Sequence, residues 1–116
     1  MRGPKKKIVA AFYQAPGGNE PVRQWLKGLA REDRRTIGMD IAQVEYGWPV
    51  GKPLCGSLGD GLREVRSHIG GGRIARVIFS IEGGRMALLH GFVKKTRKTP
   101  KGERDLALRR KKEIAP

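Results

Sequence analysis

The stretch Leu62–Lys95, LREVRSHIGGGRIARVIFSIEGGRMALLHGFVKK, decides the fold. It holds three segments of strand character separated by two glycine turns. Leu62–Ile69 alternates, with Leu62, Glu64, Arg66 and His68 on one side and Arg63, Val65, Ser67 and Ile69 on the other. Ile74–Ile81 is a near-continuous apolar run interrupted by Arg76, and Met86–Val93 is a third strand. Gly70-Gly71-Gly72 and Glu82-Gly83-Gly84-Arg85 are turns. Three consecutive strands on short glycine turns spell an antiparallel meander.

Upstream, Ile8–Tyr13 is short, apolar and partly β-branched or aromatic, which reads as a buried strand ended by Ala15-Pro-Gly-Gly18. Asn19 can cap a helix with Glu20 and Pro21 in its first turn. Val22, Trp25, Leu26 and Leu29 then share one face. A second helix is expected from Arg31 to about Tyr46, its stripe made of Ile37, Ile41, Val44 and Trp48, with Gly47 and Pro49 stopping it. Two helices so close in sequence form a hairpin. Gly51–Gly61 reads as a glycine-rich loop. Downstream of the meander, Thr99 can cap a third helix with Pro100 at its start, running toward Glu113 and ending in Arg109-Arg-Lys-Lys112. The expected class is α+β, order β-α-α-β-β-β-α: a mostly antiparallel sheet, an N-terminal helical hairpin and a basic C-terminal helix, all in one domain over residues 1–116.

The chain has 116 residues and a formal net charge of +14. The excess is uneven: residues 1–60 carry ten Lys and Arg against six Asp and Glu, for +4, and residues 61–116 carry fifteen against five, for +10. Such a field concentrates polyanions, and nucleic acid is the usual partner of a small protein so charged. Plain solubility or an acidic protein partner is the alternative use of the same charge. Cys55 is the single cysteine, so an intrachain disulfide and a cysteine-based zinc site are excluded, and a reducing, cytoplasmic setting is the expectation. No apolar run approaches a membrane span, and Ile8–Tyr13 is too short for a secretory core.

Metal and nucleophile arrangements are nearly absent. His68 and His90 have no Cys or His neighbours at ligand spacing, and no glycine loop ends in Lys-Ser/Thr. A site built from cations, without metal or cofactor, remains. Arg76 lies in a segment that otherwise wants burial, where an unpaired guanidinium is costly. It therefore faces a groove, pairs with an acid such as Glu64, or lies at a polar rim. Arg66 alternates onto the side of Glu64. Lys94 and Lys95 follow the last strand and are expected near Arg73 and Arg76, so that several cations converge on one groove; a solvated charge run is the bland alternative. His90, among Leu88, Leu89 and Phe92, reads first as a satisfied core histidine. Trp25 and Trp48 read as core.

Four segments carry a resemblance: Asn19-Glu-Pro-Val-Arg-Gln-Trp-Leu26, Leu58-Gly-Asp-Gly-Leu-Arg-Glu-Val-Arg66, Arg73-Ile-Ala-Arg-Val-Ile-Phe79, and Leu89-His-Gly-Phe-Val-Lys-Lys-Thr96 followed by Lys98-Thr-Pro100. In this order they resemble the HigB-type, phage-derived branch of the RelE-like toxins, over nearly the whole chain. The resemblance implies a RelE-like fold and the toxin of a type II toxin–antitoxin pair. It implies a ribosome-dependent mRNA endonuclease that uses the substrate 2′-hydroxyl and needs no metal. The implied partners are the ribosome, its mRNA and a HigA-like helix-turn-helix antitoxin. By the same resemblance Arg66 and Arg76 stabilise the phosphate, and Lys94 or Lys95 supplies an active-site cation. The chain departs from some relatives in having no Tyr or His in its C-terminal helix, which leaves Glu64 or His90 as the candidate proton acceptor. Arg73, Arg97, Lys98, Lys101, Arg109 and Arg110 form the candidate RNA-binding surface. Two other readings stay open: a non-catalytic nucleic-acid- or antitoxin-binding module on the same fold, and a gyrase-directed toxin.

Overall fold

The computed structural model describes residues 5–94 and 98–114. Lys95 and Arg97 lie outside the described residues. The elements are β1 (Val9–Phe12), α1 (Pro21–Lys27), α2 (Arg31–Gly47), β2 (Cys55–Gly59), β3 (Leu62–Ile69), β4 (Arg73–Glu82), β5 (Arg85–Lys94) and α3 (Lys101–Ile114). The strands form one sheet in the order β1-β5-β4-β3-β2. All pairings are antiparallel except that of β1 with β5.

The meander of β3, β4 and β5 is the centre of the sheet. Gly83 and Gly84, at φ 57° and 80°, close the β4–β5 hairpin between the paired Glu82 and Arg85. Both need the left-handed backbone that glycine adopts without cost, in the two-residue turn that suits twisted strands. The segment Gly51–Gly61, expected as loop, contributes an additional edge strand: Cys55, Gly56 and Ser57 pair with Val65, Glu64 and Arg63. Its glycines hide it from a propensity reading, and the β3 ladder supplies the hydrogen bonds that stabilise it.

One sheet face is covered by α1 and α2. Ile37, Ile41 and Val44 pack there on Val65, Ala75, Val77, Phe79, Met86 and Leu88. Trp25 lies against Gly91, where a Cβ would meet the indole at 2.5 Å from Cζ3, so β5 must carry glycine at that point. Buried Glu45 accepts from the Ala10 amide at 2.8 Å and from Lys6 at 3.1 Å, tying α2 to β1. The opposite face carries a second cluster, Tyr13, Leu62, Ile78, Ala87, Leu89 and Phe92, closed by Ala107 of α3. The first helix begins one residue later than expected, with Glu20 rather than Asn19 at its cap, and no side chain caps it. Thr99 likewise does not serve as the cap of α3: the Pro100 carbonyl accepts the first helical bond, from Arg104, and the Thr99 hydroxyl turns elsewhere.

Candidate functional site

The sheet face under α3 carries three cross-strand rows. Arg66 of β3 stands opposite Arg76 of β4, which stands opposite Phe92 of β5. One step along one side are Glu64, Ile78 and His90, and one step along the other are His68, Ile74 and Lys94. A register shift in β5 between the partners of Ile78 and Phe79 adds one residue there. That bulge sends Leu88 to the α2 side while leaving His90 and Phe92 on the α3 side.

Like charges directly opposite each other on a sheet repel, so the Arg66–Arg76 row needs a counter-charge. Glu64 provides it. Its Oε2 accepts from Arg76 Nη1 at 2.5 Å and from Arg66 Nε at 2.8 Å, and its Oε1 accepts from the Thr99 hydroxyl. The carboxylate is 1% exposed and Arg76 is 2% exposed, whereas the Arg66 side chain is 28% exposed. Of the alternatives open for Arg76, pairing with Glu64 is the one realised. The buried ion pair fixes the outer guanidinium, and Arg66 is the member of the trio that reaches solvent. Gly56, paired with Glu64, leaves room for it: a Cβ there would lie 3.0 Å from Arg66 Cζ.

His90 contributes an imidazole two residues along β5 from Phe92, stacked on that ring at 5.6 Å between centroids. Its Nε2 contacts the Glu103 carboxylate of α3. Lys94, at the end of β5, is exposed. These placements join Glu64, Arg66, Arg76, His90 and Lys94 on one face. Arg73 is turned away, toward α2: its Nη2 donates to Asp33 at 2.8 Å and its Nε to the Gly70 carbonyl at 2.7 Å, which clamps the β3–β4 turn. The expected neighbourhood of Arg73 and Arg76 fails because consecutive odd and even positions on β4 face opposite sides.

The helix cations divide by use. Lys98, Lys101 and Arg109 are exposed. Arg110 is half-buried: it donates to the Leu89 carbonyl at 2.7 Å and lies over the Tyr13 ring at 5.5 Å. Arg104, which the sequence reading passed over, donates to the Leu58 carbonyl at 2.9 Å and pairs with Asp60, pinning α3 to the β2–β3 turn. Tyr13 donates to Glu113, and this hydrogen bond, with burial, raises the phenol above its ordinary value. A cavity of about 450 Å³ between β1 and the end of α3 shares no residue with the arginine cluster. Among the described residues no three His, Cys, Asp or Glu side chains gather as a metal would require, and no helix is long and apolar enough to cross a membrane.

An α+β domain with a five-stranded, mostly antiparallel sheet, two helices on one face and a single helix over a cationic row on the other has the RelE-like fold. The chain belongs to the phage-derived Gp49-like protein family (DUF891), whose sequence profile matches residues 24–112. That family falls within the RelE-type toxin superfamily; its members are commonly toxins of toxin–antitoxin systems, and membership implies an antitoxin partner. No curated protein matches the chain.

Proposed function

We propose that the chain is a HigB-type toxin that cuts messenger RNA at the ribosome, using the substrate's own 2′-hydroxyl as nucleophile. The observation that carries this reading is the Glu64-anchored row: a solvent-reaching guanidinium, Arg66, held in place by a buried ion pair, with Lys94 and His90 on the same face. In the reaction the 2′-oxygen bonds to the adjacent phosphorus and the bond from phosphorus to the 5′-oxygen breaks. The products are a 2′,3′-cyclic phosphate and a 5′-hydroxyl. Negative charge grows on the non-bridging oxygens, and Arg66 and Lys94 are the cations we assign to meet it. Arg76 is too deeply buried to touch RNA and acts as a positioning residue. Glu64 is equally enclosed, so it orients cations and takes no substrate proton. His90 accepts the 2′-proton, with Glu103 orienting the ring and stabilising the imidazolium. The leaving 5′-oxygen takes a proton from Lys94 or water. Exposed Lys98, Lys101 and Arg109 hold ribosomal RNA, and a HigA-like helix-turn-helix antitoxin restrains the toxin in the cytoplasm.

The enclosure of Glu64 and Arg76 also favours a second reading, a module that binds RNA without cutting it. Primer extension on a translated message separates the two. Expression of the parent chain without antitoxin is expected to arrest growth and leave new 5′ ends at codon-related positions, and Arg66→Gln is expected to abolish both. Arrest with intact messages overturns the nuclease reading, and DNA-damage signalling in that case points to gyrase.

A further inference from the structure

A recess of about 290 Å³ opens where β3 outruns its edge partner. β2 pairs with β3 only as far as Val65; the next amide, Arg66, donates to the Leu54 carbonyl at 2.8 Å. Thr36 and Asp40 line the recess from α2, Pro53 and Leu54 from the segment ahead of β2, and Arg66 and His68 from β3. Its volume is near the lower end of the range for small-molecule sites, which is roughly 300–1,000 Å³, so it suits a single base rather than a chain of them.

Its polar groups are uncommitted. Among the described residues, the Asp40 carboxylate makes no ion pair, and neither it nor the Thr36 hydroxyl nor the His68 ring has a hydrogen-bond partner. In a chain of +14, a half-buried carboxylate without a cation is unusual and points to a ligand's donors. Thr36 and Asp40 are four apart on α2, so their side chains stand one above the other on its surface.

We propose that this recess is a guanine subsite for the nucleotide whose phosphate Arg66 holds. The inference rests on the RNA-cleaving reading above. Arg66 belongs to both the Glu64 cluster and the recess, so a base seated there has its phosphate at the guanidinium. An ionised carboxylate only accepts hydrogen bonds, and its two oxygens match two adjacent donors. Guanine alone presents such a pair on its Watson–Crick edge, at N1 and the 2-amino group; adenine and cytosine set an acceptor beside their amine. The Thr36 hydroxyl donates to guanine O6, next to N1. The His68 ring stacks on the base, with Pro53 and Leu54 as apolar wall.

The test is titration of the full chain at low salt with 3′-GMP, 3′-AMP, 3′-CMP and 3′-UMP, followed by NMR. 3′-GMP is expected to bind about tenfold more tightly than the others or better, the discrimination of one good bidentate contact. Asp40→Asn removes that preference while keeping phosphate-driven binding, and thermal unfolding checks that the variant is folded. His68→Ala weakens all four alike. Equal binding of the four nucleotides, preference for another base, or a 3′-GMP preference that survives Asp40→Asn overturns the subsite. Messages that are cut, with no base preference in the titration, sink the subsite alone. A clear 3′-GMP preference with uncut messages sinks the cleavage reading and leaves the recess a guanine site.

Discussion

Gly56→Ala separates the position of Arg66 from its presence. A methyl carbon at Gly56 would stand 3.0 Å from Arg66 Cζ and closer to Nη2, inside the 3.4 Å at which ordinary contact begins. The guanidinium is the end of a flexible, 28% exposed side chain, so it moves rather than the strand. A displacement of about 1 Å takes Nε, now 2.8 Å from Glu64 Oε2, beyond hydrogen-bond reach. A charge-assisted bond contributes ~1.5–3 kcal/mol when buried, and solvent at the guanidinium lowers this toward ~1 kcal/mol. Glu64 keeps Arg76 and Thr99, so no carboxylate is stranded. Replacing glycine also restricts the unfolded chain, which returns ~0.4–1 kcal/mol. The net change is within about 1 kcal/mol, or about 4 °C in Tm. Function is far more sensitive, since a misplacement of 1 Å costs on the order of a hundredfold. The assay pairs thermal unfolding with primer extension at matched expression. Cutting within about threefold of the parent, at unchanged Tm, refutes the claim that Glu64 sets a functional Arg66 position.

Glu64→Gln removes the buried carboxylate charge that faces the 2% exposed Arg76 and is expected to cost about 3–5 kcal/mol, read as a fall in the urea midpoint. Gly91→Val drives a side chain into Trp25; chemical denaturation should show a loss of about 1–3 kcal/mol or more. Cys55, 1% exposed, has its thiol pushed up to about 11 by burial, against the lowering pull of Arg63 and Arg66. Its folded pKa lies above the unfolded one, so that stability is complete below pH 9 and lost as pH rises toward 11, by about 2–3 kcal/mol. Cys55→Ala should flatten this alkaline slope, and an unchanged slope would exclude the thiol as its source. Binding of an RNA oligomer should weaken steeply with added salt, the slope falling by about one unit for each phosphate-contacting Lys or Arg removed.

The meander and the two N-terminal helices were legible because their signals are local: glycine turns at the right spacing, alternation in Leu62–Ile69, and a 3.6-residue stripe ending at Trp48. Arg76 was legible as an anomaly for the same reason, a cation in an apolar run. What sequence hid was set by pairing. β2 exists only because β3 offers it a ladder. The β5 bulge assigns Leu88 and His90 to different faces, although strict alternation would put them on the same one. Arg73 stood within three residues of Arg76, yet it clamps Asp33 on the far side. The recess between α2 and β3 depends on where β2 stops, which no short-range pattern reports.

The charge balance of the cluster explains why so basic a chain buries a carboxylate at its candidate site. Two guanidinium groups and one carboxylate leave one positive charge, and burial of Arg76 and Glu64 directs that excess through Arg66. A lone surface arginine would spend side-chain entropy to meet a phosphate and would act through a high dielectric. On the RNA-cleaving reading Arg66 is ordered in advance of its substrate, because Glu64 holds Nε while the side chain stays 28% exposed. Glu64 is in turn held by Arg76 and by Thr99, which lies just ahead of α3. The helix that covers the candidate site thus shares its anchor with the residue proposed to act in it. Substitutions at Arg76 or Glu64 are therefore expected to be read first in stability, and those at Arg66 in chemistry. A substitution at Thr99 should move Arg66 through Glu64 without touching RNA, so Thr99→Val is expected to lower the cleavage rate while leaving RNA affinity within about twofold of the parent's. An equal loss of both would place Thr99 in the RNA contact surface instead.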